Sequence, residues 1–529
     1  MRTRSHPGPC AAARDGADLL VLAPMAIEAR AIRSGAPWSR VEKIGVGPRR
    51  ARAAARAAGR RNERAALIAG VCGALDAGLE PGDVVLASEL RTPERTIPCP
   101  DPSILAGVLR RGGLRVHIGP IVSSNGVVFG ARRRELALAG ALAVDMESAW
   151  LAEEHGELPL STLRVVLDTA RHELHRPARA AVAARRAYRS LRQASSLLES
   201  WALAHGEREI VLAAPRASCA GVTRAIEIVE RALEQRGAPV YVRKQIVHNA
   251  HVVRELERRG AVFVDDVDEV PPGATVIFSA HGVSPAVRRH AADRELEVID
   301  ATCPLVAKVH AEARRFAAAD FQIVLVGHED HEEVEGTVGE APAHTQVIAS
   351  IAEARSLDLV DSSRVAVLTQ TTLAVDETAD IVDALRDRYP SLVVPPSEDI
   401  CYASQNRQDA VRAIAPDVEL ILVVGSQNSS NSRRLVEVAE RAGCPARLVE
   451  GAEEIAPELL VGVRRIGVTA GASAPESLVQ QVVAAIAGLG GAGVREHTVA
   501  TEDMHFNLPP QVRAQATAAQ GAATANGGA

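Results

Sequence analysis

Three cysteines have the setting for sulfur chemistry. Cys219, Cys303 and Cys401 sit in SCAGVTRAI, TCPLVAKVH and ICYASQNRQ, each between an apolar run and a helical pattern. At such a turn the free amide N–H groups and the helix dipole favour a thiolate. Thiolates drawn from three turns suit an iron–sulfur cluster that keeps one iron without a protein ligand. Such an iron can act as a Lewis acid on a substrate oxygen. A three-Cys zinc site uses the same residues, and spacing does not choose between the two. Cys10, Cys72, Cys99 and Cys444 have no partner motif.

Polar clusters follow the apolar runs around these cysteines. KQIVHN carries His248, SAHGVS carries His281, and GHEDHEEVEGT carries His328, His331, Glu332 and Glu333. TQTT carries Thr371, GSQNSSNSRR carries Ser429, Ser430 and Asn431, and TAGAS carries Ser473. Hydroxyl, amide and imidazole donors, with backbone N–H at helix starts, are what a diphosphate requires. Few Lys or Arg lie in these loops, so anion binding there rests on neutral donors and His.

The elements that must position these groups read as α/β. Runs such as LLVLAP, ALIAGV, DVVLAS, REIVLAAP, ATVIFSA, QIVLVG, LILVVG and RIGVTAG alternate with helical patterns such as AGVTRAIEIVERALEQRG. That alternation predicts parallel sheets with crossover helices, whose ligands gather at the carboxyl ends of strands. At 529 residues, with 47% apolar and 24% charged side chains, the chain is globular and too long for one domain. A net charge of −6 gives no global basic field for nucleic acid. The sequence shows neither a membrane-spanning apolar run nor a signal peptide, and seven scattered cysteines fit a reduced, cytoplasmic protein. The expected organisation is a flexible leader over 1–17, a domain over 18–203, a linker over 204–208, a domain over 209–508 and a disordered tail over 509–529.

The stretches CAGVTRAI, KQIVHN, SAHGVSP, DATCPLV, HEEVEGT, LTQTTL, DICYASQNRQ, GSQNSSNS and TAGASAPE occur in an order that strongly resembles the 4-hydroxy-3-methylbut-2-enyl diphosphate reductase family. The resemblance implies a three-lobed α/β reductase around a 4Fe–4S cluster held by Cys219, Cys303 and Cys401. It implies a small allylic diphosphate substrate held by His248, His281, His331, Thr371, Ser429, Ser430, Asn431 and Ser473, with Glu333 as proton source. It also implies conversion to isopentenyl and dimethylallyl diphosphate in the non-mevalonate isoprenoid pathway, with a ferredoxin or flavodoxin as electron donor. Two residues depart from the family's pattern: Ala217-Ser218 replaces the usual Gly-Phe, and Asp330 replaces a usual Gly.

Residues 18 to about 200 are similar to the nucleoside phosphorylase and nucleosidase family, in particular to its hopanoid-associated phosphorylase type. The carriers are LAPMAIEARAI with Glu28, IGVGP, AVDMES with Met146 and Glu147, and LRVVLDTA with Asp168. The resemblance implies a nucleoside phosphorylase-like fold and a purine nucleosidase site. In it Met146 and Glu147 contact ribose, Glu28 orients water and Asp168 protonates the departing purine, adenine in the hopanoid-associated type. Leu167 replaces a usual Ser, and Trp150 a usual small residue. Two alternatives stay open: the N-terminal half as a non-catalytic scaffold, and the cysteine trio as a structural zinc site.

Overall fold

The computed structural model describes residues 18–57, 63–154, 160–170, 177–395 and 399–513. The expected leader and most of the expected tail lie outside the described residues. The contacts divide the chain into two units. One comprises Met1–Ile210, Gly451–Ile466 and Gln480–Arg495, and the other Val211–Glu450, Gly467–Val479 and Glu496–Ala529. The first unit thus draws two later segments to itself, which a reading of consecutive domains does not foresee.

The first unit is built on an eight-stranded sheet. Leu19–Ala23 pairs in parallel with Arg40–Lys43 and Ala65–Ala74. Leu160–Asp168 pairs with both Ala65–Ala74 and Val84–Arg91, so the strands curl back on themselves. The sheet is mixed and not purely parallel as expected. Val84–Arg91 runs antiparallel to Leu160–Asp168 and to Thr96–Pro98, and Ala65–Ala74 antiparallel to Ala143–Asp145. Short connections, such as the one after Arg91, leave no length for a crossover helix. Within the expected linker, Ala204 and His205 are buried, Gly206 and Glu207 are exposed, and strand Arg208–Ala214 already starts at its last residue.

Three further sheets follow, two of them wholly within the second unit. Ala261–Val264, Val240–Arg243, Thr275–Phe278 and Glu297–Asp300 form one, parallel throughout. Thr345–Ile348, Gln322–Val326 and Val365–Thr369 form the next, also parallel. The last is ordered Ala446–Val449, Leu420–Val424, Arg465–Ala470, Arg208–Ala214, Ala492–Thr498. Their central strands are apolar on both faces, as LILVV and QIVLV show, because helices cover both sides. The turn Pro510–Val512 buries Val512 against Ile228 and Leu256, so ordered chain extends past residue 508. No helix among the described residues is long and apolar enough to cross a membrane.

Candidate active sites

Each of the three cysteines is the N-cap residue of a helix: Cys219 of Ala220–Arg236, Cys303 of Pro304–Ala318 and Cys401 of Tyr402–Ile414. The first two follow strands closely. Among the described residues, the nearest pairing before Cys401 is a single bridge from Val393 to Ala366. All three line one cavity of about 100 Å³. A methyl added at Gly221 would stand 2.8 Å from Cys303 Sγ and 3.8 Å from Cys219 Sγ, so this glycine makes room for the sulfurs. Burial pushes the Cys303 thiol up to about 12 and the Cys401 thiol up to about 11. Buried thiols drawn so close become thiolates only beside a compensating cation, which is what a metal centre supplies. The donor set therefore fits an iron–sulfur cluster, and three sulfurs fit zinc equally.

The same cavity is lined by His248, His281, His331, Glu333, Thr371, Ser429, Ser430, Asn431 and Ser473, whereas His328 and Glu332 are not part of its lining. The His248 and His281 rings stack at 4.0 Å, and His331 stands edge-on to both. Burial lowers His248 to about 2 and His331 to about 3, so both rings are neutral and can donate from one nitrogen only. His248 Nδ1 is buried with no hydrogen-bond partner among the described residues. Glu333 is fully enclosed and accepts from Thr371 N at 2.7 Å and Thr371 Oγ1 at 3.0 Å. Burial raises its pKa against those two bonds.

Hydroxyls interlock on the opposite wall. Ser473 Oγ donates to the His248 carbonyl at 2.9 Å, Thr372 Oγ1 to Ser430 Oγ at 3.1 Å, and Asn431 Nδ2 to Ser404 Oγ at 3.1 Å. Among the described residues, no Lys or Arg lines the cavity. Asp330 is exposed and lies off it, so its charge does not face the pocket.

Several contributors went unread in the sequence. Tyr402, Ser404, Thr372 and Phe506 line the cavity; Thr372 and Ser404 stand beside residues that were singled out, and proximity in the chain was the available signal. Arg407 is fully buried and forks onto the Ala217 carbonyl at 3.0 and 2.7 Å, while pairing with Glu502 at 2.9 Å. It thereby ties the turn before Cys219 to the helix after Cys401. Ala217 has φ 59, a left-handed conformation that glycine adopts more easily.

In the first unit Glu28, Met146, Glu147 and Asp168 line a second cavity, of about 270 Å³. Glu28 accepts from Met25 N at 2.6 Å and Val71 N at 2.8 Å. Glu147 accepts from Gly47 N at 3.1 Å, in a turn where Gly45 and Gly47 have φ 85 and 93. Arg164, with no exposed surface, pairs with Asp145 at 2.6 Å and Glu147 at 3.5 Å. Burial raises Glu28 and takes Glu147 up to about 7. Asp168 is bonded to Arg133 at 2.5 Å. Leu167 lines the cavity, whereas Trp150 packs in the core with Leu20 and Ile68.

Comparison with known proteins follows the same division. The LytB protein family matches residues 210–487. The chain belongs to the LytB family. It is 58% identical over 316 residues to the 4-hydroxy-3-methylbut-2-enyl diphosphate reductase 2 of Mycobacterium bovis, covering 59% of this chain and 96% of that protein. It is 60% identical over 309 residues to the reductase of Leifsonia xyli, covering 58% and 92%. The solved structure of the E-1-hydroxy-2-methyl-but-2-enyl-4-diphosphate reductase from Plasmodium falciparum superposes with a TM-score of 0.56 at 36% identity, over 58% of this chain and 97% of that one. The phosphorylase superfamily matches residues 31–200. This LytB chain is thus an oxidoreductase of isoprenoid biosynthesis, from a family of iron–sulfur proteins, with a phosphorylase-type domain at its N-terminus.

Proposed function

We propose that residues 209–508 reduce (E)-4-hydroxy-3-methylbut-2-enyl diphosphate to isopentenyl and dimethylallyl diphosphate. The carrying observation is that three cysteines from three separate turns line one cavity with Glu333 and a ring of imidazole, hydroxyl and amide groups. The net change adds two electrons and two protons and releases one water. Cys219, Cys303 and Cys401 would hold a 4Fe–4S cluster, which when bound supplies electrons singly and a Lewis-acidic iron.

The chain's own groups account for the rest. His248, His281, His331, Ser429, Ser430, Asn431 and Ser473 offer donors to the diphosphate without carrying a permanent positive charge. Glu333 holds the proton that the departing hydroxyl needs, because burial keeps its carboxyl neutral to higher pH. Thr371 fixes both Glu333 oxygens and so aims that proton. Electrons come from a ferredoxin or flavodoxin type donor. The test is anaerobic turnover of the hydroxylated diphosphate by the full chain with a reduced viologen dye. Formation of both C5 diphosphates supports the reading, and an unchanged substrate refutes it.

For residues 18–203 we propose a nucleosidase site. It is supported by the meeting of Glu28, Met146, Glu147 and Asp168 in one cavity. Met146 and Glu147 would hold the ribose, Glu28 the attacking water, and Asp168 the base end. Release of a free purine base from a nucleoside tests it.

A further inference from the structure

Strand Arg208–Ala214 leads to Cys219, strand Glu297–Asp300 leads to Cys303, and the bridge from Val393 to Ala366 precedes Cys401. These lie in three different sheets, so among the described residues no strand ladder runs from one cysteine turn to the next. Basic side chains make that connection, and they make it in one direction. Arg224, five residues past Cys219, donates through Nη1 to the Ala301 and Thr302 carbonyls at 3.1 Å each, directly ahead of Cys303. Lys308, five past Cys303, reaches Asp399 at 3.2 Å, two residues ahead of Cys401. Arg407, six past Cys401, returns to the Ala217 carbonyl at 3.0 and 2.7 Å, two ahead of Cys219. Each cation stands about one and a half turns into the helix that its cysteine caps.

We propose that Arg224, Lys308 and Arg407 are positioning residues that close a ring through the three cysteine turns and hold them in register for one metal centre. The proposal rests on the reading that these sulfurs share a centre. A charged donor makes a bond roughly twice as strong as a neutral one, and the groups behind a metal's ligands set how those ligands are aimed. Ala217 shows the grip most plainly. It holds φ 59 without being glycine, under two bonds from a guanidinium that has no exposed surface. The ring also reaches the substrate side. Asp399 accepts from Thr369 N at 3.1 Å, at the end of the strand that runs into Thr371. Glu502 pairs with Arg407 at 2.9 Å, and the Asn507 carbonyl accepts from Arg224 Nε at 2.8 Å. Those two residues flank Phe506, which lines the cavity.

The three cations differ in charge balance. Lys308 and Arg407 each face a carboxylate. Arg224 forms no ion pair among the described residues and bonds to carbonyls alone. One uncompensated positive charge thus stands behind the Cys303 turn. It favours the more negative, reduced state of an iron–sulfur centre.

The test follows the anaerobically purified full chain by two readouts. One is the rate at which a chelator strips its metal, and the other is the midpoint potential from a redox titration read by electron paramagnetic resonance. Arg224→Met should lose metal about 10- to 100-fold faster than the parent. So should the charge-balanced pairs Lys308→Met with Asp399→Asn and Arg407→Met with Glu502→Gln. Arg236→Met, which breaks the pair with Glu297 at 2.6 Å on the same helix as Arg224, should not. Arg224→Met should also lower the potential, Arg224→Lys should restore it, and the balanced pairs should leave it at the parent's value. Should a Met variant fail to fold, Arg224→Lys, Lys308→Arg and Arg407→Lys keep the charge, displace the donors and should still speed metal loss. Release at the parent's rate from any one clasp overturns the ring, and so does an equal acceleration by Arg236→Met. A potential that Arg224→Met leaves unmoved overturns the charge effect assigned to it. A chain that carries zinc refutes the iron–sulfur reading, and the clasps are then judged by zinc release alone.

Discussion

The two cavities solve the problem of buried polarity in opposite ways. Among the described residues, the reductase cavity is lined by thiols, imidazoles, hydroxyls and one carboxamide, with Glu333 as its single carboxyl and no Lys or Arg. The N-terminal cavity buries full charges and sets arginine against carboxylate within the protein, at Arg164–Asp145 and Arg133–Asp168. An internally compensated site changes little in charge when a neutral ligand enters. A site of uncompensated thiols and neutral donors instead awaits partners that bring their own charge, which a metal cluster and a diphosphate both do. Charge placement, more than pocket size, separates the two chemistries.

Four substitutions break or sharpen this contrast. Cys303→Ser, measured by iron content after anaerobic purification, should take the chain from about four irons to below about one and abolish reductase turnover. Next, Glu333→Gln should lower that turnover about 100- to 10,000-fold with iron content unchanged. Burial raises the folded pKa of Glu333, so the acid form is present at low pH and lost as pH rises through that value. Wild-type turnover should accordingly fall on the alkaline side, and the Gln variant should lack that limb in its pH profile.

In the N-terminal unit the effects are on stability. Arg164→Met strands Asp145 and Glu147 and should destabilise that unit by about 3–5 kcal/mol, read from denaturant unfolding. The smallest effect is expected from Glu147→Gln. The raised pKa of Glu147 means the folded state holds a proton that the unfolded chain releases above about 4.5, so its contribution to stability is present below that pH and lost on rising to about 7. At pH 8 the Gln variant should therefore be more stable than the parent by roughly 1–3 kcal/mol. A variant that is less stable at pH 8 would show Glu147 to be a favourable partner of Arg164.

Much of this was legible in the chain. Apolar runs such as LILVV and REIVLAA marked central strands because burial on both faces leaves no room for alternation. The cysteine turns were readable because each cysteine stands directly before a helical pattern, AGVTRAI, PLVAKVH and YASQNRQ. The antiparallel pairing of Leu160–Asp168 with Val84–Arg91 was not, since direction depends on which neighbour closes the ring and no local residue encodes that. Arg133 and Arg164 carry no local signal for the same reason: their carboxylate partners lie 35 and 19 residues away in the chain, and only the folded sheet brings them inside. Val512 gave a faint sign, the one large apolar residue in a stretch otherwise read as tail.

The central claim concerns the meeting of three sulfurs at a redox centre. Metal analysis of the anaerobically purified full chain, joined to electron paramagnetic resonance before and after adding the hydroxylated diphosphate, addresses it most directly. A brown protein with about four irons per chain, whose reduced spectrum shifts on substrate addition, is the expected result. A colourless protein carrying zinc, silent in the spectrometer with and without substrate, would contradict it.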